Sequence, residues 1–261
     1  MPRYDVSRET YIIWRTMMEF NEFYGVCKQI FALNEHLPCL DEQKAKKLHT
    51  LTTHMLETNK VMNLTAIKDE SAIILRHYAD SLAVSKYICE GSTVIDVGCG
   101  AGFPTLPLAI FRPDLKITAL DSTAKRIEYV RSVAKLLDLD NVTVIAERAE
   151  ILANSPDHRE SFDFATARAV ASLPILTELC LPFVRIGGSF IAMKAQKADE
   201  ELSSSLSAIS KCGGNLDKSL SSPLTSIDGC SESRSLIVIS KIRPTPKELP
   251  RHYSKISKKP L

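Results

Sequence analysis

Residues 94–104 read Val-Ile-Asp-Val-Gly-Cys-Gly-Ala-Gly-Phe-Pro, an apolar run that breaks into three glycines at alternate positions, Gly98, Gly100 and Gly102. Phe103 follows, and then Pro104, a residue suited to a first helical turn. Glycines here allow positive φ and close approach of the backbone to a ligand, and a turn of this kind after a strand seats a nucleoside-like molecule. An ordinary tight turn is the bland alternative, and two carboxylates weigh against it. Asp121 ends the next apolar run, 19 residues after Gly102, where it can accept both hydroxyls of a ribose. Asp96 stands two residues before Gly98. An acid at that distance opposes the pyrophosphate of a dinucleotide and favours a cation. Opposite charges about 4 Å apart, at an effective dielectric of about 20, attract by roughly 4 kcal/mol before desolvation. The third glycine also falls one place early for G-x-G-x-x-G, since Phe103 occupies the sixth position. The expected chemistry is binding of the cationic S-adenosylmethionine and methyl transfer from it, with a nicotinamide-dependent oxidoreductase as the alternative.

Such a turn needs a parallel sheet around it. From Ser92 onward the sequence alternates short β-branched runs with helical patterns, the βαβ rhythm. Strands are expected at 93–97, 116–120, 142–146, 162–167 and 189–194, with helices near 104–111, 122–137, 149–154, 172–184 and 197–211. Residues 212–235 are rich in Ser and Gly, and 235–242 (SLIVISKI) reads as a last, antiparallel strand. The fold class is therefore α/β, a doubly wound Rossmann-like sheet of the class I methyltransferase type. Before it, residues 1 to about 60 and 70–88 carry apolar positions at helical spacing, an N-terminal helical segment. The expected organisation is an extension over 1–39, helices over 40–91, the methyltransferase domain over 92–242 and a Pro-punctuated basic arm over 243–261, held to be a surface arm rather than core.

Composition excludes several classes. With 261 residues, 44% hydrophobic, the chain can bury a core without metals or disulfides. The net charge of +2 excludes a polycationic coat protein but hides an asymmetry, because 241–261 holds seven Lys or Arg and one Glu, leaving about −4 for the rest. Seven cysteines without a C-x-x-C pair fit neither a zinc knuckle nor a disulfide framework, and His77 with Asp80 makes at most two metal ligands, so no metal is expected. Charges at Arg3, Asp5, Arg8, Glu9, Arg15 and Glu19 leave no core for a signal peptide, and no apolar run is long enough for a membrane. A cytoplasmic protein is expected.

Asn63-Leu64-Thr65-Ala66-Ile67, His77, Asp80-Ser81-Leu82, the 96–104 turn, Leu120-Asp121-Ser122, Lys125-Arg126, Arg148-Ala149-Glu150, Arg168-Ala169 and Lys194 occur in that order. With Leu249-Pro250-Arg251 and Lys258-Lys259-Pro260-Leu261 at the end, they resemble the RsmG family, also called glucose-inhibited division protein B, from about Leu40 to Leu261. The resemblance implies an S-adenosylmethionine-dependent methyltransferase acting on guanine N7 in the decoding-region loop of 16S rRNA in the small ribosomal subunit. A ribosome-binding factor with a vestigial cofactor site is the non-enzymatic alternative. Carried over residue by residue, Gly98, Phe103, Asp121, Ala149, Glu150 and Arg168 fall to the cofactor, and Arg168 and Lys194 to the reaction. Lys125, Arg126, Arg148, Arg251, Lys255, Lys258 and Lys259 fall to RNA phosphates. Thr105 and Ala195 replace glycines usual in the family, and each is expected to crowd a ligand-facing turn. Guanine N7 carries a free lone pair, so no general base is required and catalysis rests on positioning and electrostatics.

Overall fold

The computed structural model describes residues 17–195 and 198–261. The first sixteen residues of the expected extension, and residue 197 of the last expected helix, lie outside them. The chain begins with α1 (Phe20–Leu33) and α2 (Glu42–Met62), the latter N-capped by Asp41, whose Oδ1 accepts from Lys44 N at 2.8 Å. Asp69 caps α3 (Glu70–Ile73) in the same way, from Ala72 N at 2.9 Å. The helix then widens into a π-helical stretch, Ile74–Ala79, before α4 (Asp80–Leu82). Spacing within such a stretch is no longer that of an α-helix, and it holds His77.

The βαβ series follows: β1 (Thr93–Val97), α5 (Thr105–Phe111), β2 (Lys116–Asp121), α6 (Ala124–Leu136), β3 (Val142–Ala146), α7 (Ala149–Leu152), β4 (Phe162–Arg168), α8 (Leu173–Cys180), β5 (Val184–Lys194) and α9 (Ala198–Lys211). β6 (Gly214–Ser221), a hairpin of β7 (Leu224–Thr225) with β8 (Ser231–Glu232), β9 (Ser235–Lys241) and α10 (Tyr253–Lys258) complete it. The main sheet runs β3-β2-β1-β4-β5-β9-β6, parallel across the first five, with β9 antiparallel between β5 and β6. The order turns back at β1, between β2 and β4, which puts a switch-point crevice over the carboxyl ends of those strands.

Alternate side chains of each strand serve opposite layers. Val94, Ile117, Ala119 and Ile191 pack beneath α1 to α6, with Phe23, Cys27, Ile30 and Phe31 of α1 in the same cluster. Ile95, Leu120, Ala165 and Ala192 face α8, the end of α9 and α10. Asn34 ties the end of α1 to the β7–β8 hairpin, its Nδ2 donating to the Thr225 carbonyl at 2.9 Å and its Oδ1 accepting from Thr225 N at 2.8 Å.

The segment after β9 corrects the expectation of a surface arm, since it is docked against α8 and the loop before β4. Glu178 is fully buried in α8 and accepts from Arg251 N at 2.9 Å, Nε at 2.8 Å and NH2 at 2.6 Å. The Arg159 guanidinium donates to the carbonyls of Thr245, Pro246 and Leu249. Leu249 and Ile256 are buried in the core. A buried carboxylate needs such a partner, and the tail supplies it.

Candidate functional site

A cleft of about 900 Å³ opens over the carboxyl ends of β1, β2 and β4, within the range of small-ligand sites. Its floor is the turn after β1. Gly98 has φ +75°, and a Cβ there would lie 2.6 Å from Val170 Cγ2, so glycine is required both by conformation and by space. At Gly100 an added Cβ would meet nothing within 4 Å, so that part of the backbone faces open cleft. Asp121 at the end of β2 braces the turn. Its Oδ2 accepts from Gly100 N at 3.1 Å and its Oδ1 from Thr123 N at 2.8 Å. A carboxylate has about four acceptor positions, so it retains capacity for further donors.

Asp96, expected as an acid at the mouth, is elsewhere. It is only 1% exposed and forms no part of the cleft wall. Its Oδ2 accepts from Thr105 N at 3.2 Å and Thr105 Oγ1 at 2.7 Å, and its Oδ1 accepts from Thr166 Oγ1 at 3.4 Å. Burial raises its pKa from 3.8 to about 6, against the lowering effect of those hydrogen bonds and of Arg168. Alternation within β1 turns position 96 toward β4 and α5 rather than to the ligand edge, a placement that spacing alone does not show. The same contact corrects the expectation for Thr105. Fully buried, it holds Asp96 instead of crowding the turn, whereas Ala195 does line the cleft.

Phe103 forms a wall between α4 and β4. The His77 ring stacks on it at 4.6 Å between centroids, and the Arg168 guanidinium lies 5.3 Å from its centroid. His77 does not pair with Asp80. Its Nε2 is hydrogen-bonded to Thr65 Oγ1 at 2.9 Å, and burial, then Arg168, lower its pKa from 6.5 to about 4, so the ring is neutral at pH 7. Asp80 instead bridges two arginines: Arg168 NH1 donates to its Oδ2 at 3.0 Å, and Arg234 Nε lies 3.3 Å from its Oδ1. Arg168 also donates to the Arg76 carbonyl at 2.9 Å. Arg76 and Arg234 meet at Glu232, at 2.7 and 2.8 Å. Sequence reasoning gave neither a site role, because neither ends a parallel strand; for Arg234 the Ser-Arg before the SLIVISKI run was the available signal.

Lys194, at the end of β5, donates to the Ala171 carbonyl at 3.0 Å and pairs with Glu201 at 2.6 Å, and both Lys194 and Glu201 line the cleft. On the opposite wall Ala149 begins α7, and Glu150, 5% exposed, accepts from Arg148 Nε at 2.7 Å. Arg126 reaches to 3.8 Å from Asp121 at the rim. The structure therefore brings Gly98, Phe103, Asp121, Arg126, Arg148, Ala149, Glu150, Arg168 and Lys194 to one cleft. Lys125 lies outside it, on the far side of α6 beside His54 and Tyr129. Lys255, Lys258 and Lys259 are exposed on and after α10. Arg251, expected to contact RNA, is committed to Glu178.

The sequence profile of rRNA small subunit methyltransferase G, GidB, matches residues 44–222. A ribosomal RNA small subunit methyltransferase G of Alkaliphilus metalliredigens is 43% identical over 226 residues, covering 85% of this chain and 92% of that protein. Its counterpart in Staphylococcus carnosus is 42% identical over 240 residues, covering 91% and 99%. A solved transferase structure from Pyrococcus horikoshii shares the fold, with a TM-score of 0.50 at 13% identity, covering 62% of this chain and 63% of that one.

Proposed function

The chain belongs to the rRNA small subunit methyltransferase G family, and we propose that it methylates N7 of a guanine in 16S rRNA, with the small ribosomal subunit as its substrate. S-adenosylmethionine is the cofactor, and the cleft fits it. The Gly100 backbone faces open space, Asp121 retains acceptor capacity for ribose hydroxyls, and the volume suits a ligand of that size. Bound there, the cofactor supplies an electrophilic methyl group.

The observation that carries the N7 reading is the Arg168–Asp80–Arg234 cluster above Phe103. Guanine offers O6 as an acceptor beside N7, and an arginine on O6 orients the base with the N7 lone pair free. No proton has to leave N7, so Arg168 and Lys194 act by positioning and by charge, not as bases. Asp80 fixes Arg168, and Glu201 fixes Lys194. Gly98 and Phe103 hold the donor by backbone approach and ring packing, and the main-chain amide of Ala149 or Glu150 meets the adenine. Arg126, Arg148 and the lysines of the last helix meet RNA phosphates, Lys125 more peripherally. This activity belongs in the cytoplasm, and among the described residues no helix is long and apolar enough to cross a membrane.

The test is tritiated-methyl incorporation into small subunits from a strain lacking this protein, followed by mass mapping of the rRNA nucleosides. A single new 7-methylguanosine is expected, with at least about a hundredfold loss for Arg168→Ala. Methylation at another atom would refute the N7 assignment.

A further inference from the structure

One side chain of the cleft wall comes from the far end of the sequence. Tyr253, the first residue of α10, lines the cleft beside Arg148, Ala149 and Glu150. Its ring packs on the same apolar cluster as Ala149, and the Arg148 guanidinium lies 5.0 Å from its centroid while Nε of that arginine donates to Glu150. Support comes from both sides in sequence. Arg251 is clamped by buried Glu178, Ile256 is fully buried, and the His252 ring accepts from Ser254 N at 3.3 Å. A ring held on a rigid mount at a cavity wall is prepared to contact a ligand.

The strand order says which part of a ligand it meets. Neighbours across the crevice are β3, β2, β1 and β4. With ribose hydroxyls at Asp121 on β2, the nucleobase falls toward the residues after β3, and the methyl-bearing end falls toward Arg168 on β4. Tyr253 stands on the nucleobase side. Aromatic rings bind nucleobases by stacking and packing.

We infer that Tyr253 is a binding residue of the methyl-donor site that closes its adenine end, making the C-terminal segment part of that site. The inference rests on reading the cleft as the S-adenosylmethionine site. It is tested with the full chain, without RNA, by calorimetric titration of S-adenosylhomocysteine and of 5′-methylthioadenosine, which lacks the amino-acid portion. Tyr253→Ala and Tyr253→Leu weaken both ligands about tenfold, and Tyr253→Phe stays within about threefold of wild type. Thermal melting without ligand identifies any variant that fails to fold, and the leucine variant keeps an apolar side chain against the cluster shared with Ala149. Affinities of the alanine and leucine variants within about twofold of wild type would overturn the inference, as would a loss confined to S-adenosylhomocysteine. Wild type binding neither ligand would remove the donor-site reading itself, an outcome visible before any variant is made.

Discussion

Replacing Arg251 by alanine tests whether the tail is fastened from within or lies loose on the surface. Glu178 is 0% exposed, and its carboxylate receives three hydrogen bonds from Arg251, two of them from the guanidinium. Without that guanidinium, one main-chain N–H remains to serve a buried charge. Removing one partner of such a pair costs about 3–5 kcal/mol, because the other is left uncompensated. At about 2–4 °C per kcal/mol for a chain of this size, the melting temperature at pH 7.5 falls by roughly 10 °C. Circular dichroism melts of Arg251→Ala, Glu178→Gln and the double variant measure it. The double variant recovers at least about 1 kcal/mol relative to Arg251→Ala, since it no longer buries a charge. A single variant melting within about 2 °C of wild type, but binding rRNA more weakly, would show that Arg251 faces the nucleic acid and that the clamp is wrong.

Gly98→Ala forces a side chain onto Val170 at a positive φ, so S-adenosylhomocysteine affinity falls at least about tenfold, and Val170→Ala restores only part of it because the backbone strain persists. Two buried groups give opposite pH slopes. The raised pKa of Asp96, from 3.8 to about 6, makes its contribution greatest at low pH and withdraws about 3 kcal/mol as pH rises through that window. The lowered pKa of His77, from 6.5 to about 4, leaves stability intact above pH 6.5 and withdraws about 3 kcal/mol as pH falls toward 4. In urea denaturation His77→Gln therefore loses stability relative to wild type as pH rises from 4 to 6; a variant whose profile runs parallel to wild type would refute the His77 assignment. Changing Lys255, Lys258 and Lys259 to alanine makes the slope of log K against log salt for 16S rRNA binding shallower by about 2, at about 0.7 per phosphate, and an unchanged slope would remove them from the interface.

The five parallel strands and the ligand-bearing turn were legible because each strand is an apolar run ended by a glycine or a charged residue, which marks it locally. β5 begins at Val184, earlier than its apolar part at 189–194, since Arg185 and Gly187-Gly188 disguise the start. β6 was missed. As an edge strand it needs few apolar residues, and its Asn-Leu-Asp-Lys-Ser-Leu-Ser text reads as a loop. In the cleft, strand-end residues such as Asp121, Arg168 and Lys194 could be placed from chain order. Partners remote in sequence could not. Nothing near Arg251 announces Glu178, 73 residues away, and nothing near Asp80 announces Arg234. The π-helical stretch likewise has no spacing signature, and the three-residue spacing of His77 and Asp80 left open whether they bond; in the structure His77 bonds Thr65 and Asp80 bonds the arginines.

The insertion of β9 between β5 and β6 orders events during synthesis. Once β5 and β6 have left the ribosome, β5 is paired only on its β4 side and β6 on neither, because the strand that joins them lies later in the chain. During that interval β5 carries an open row of amides and carbonyls beside Phe190 and Ile191, a template for pairing with another nascent chain. Arrival of 235–241 seals both edges in one step, so a chain cut before Ser235 leaves that template on β5 open, and sedimentation of the cut chain is expected to show it aggregating where the full chain does not.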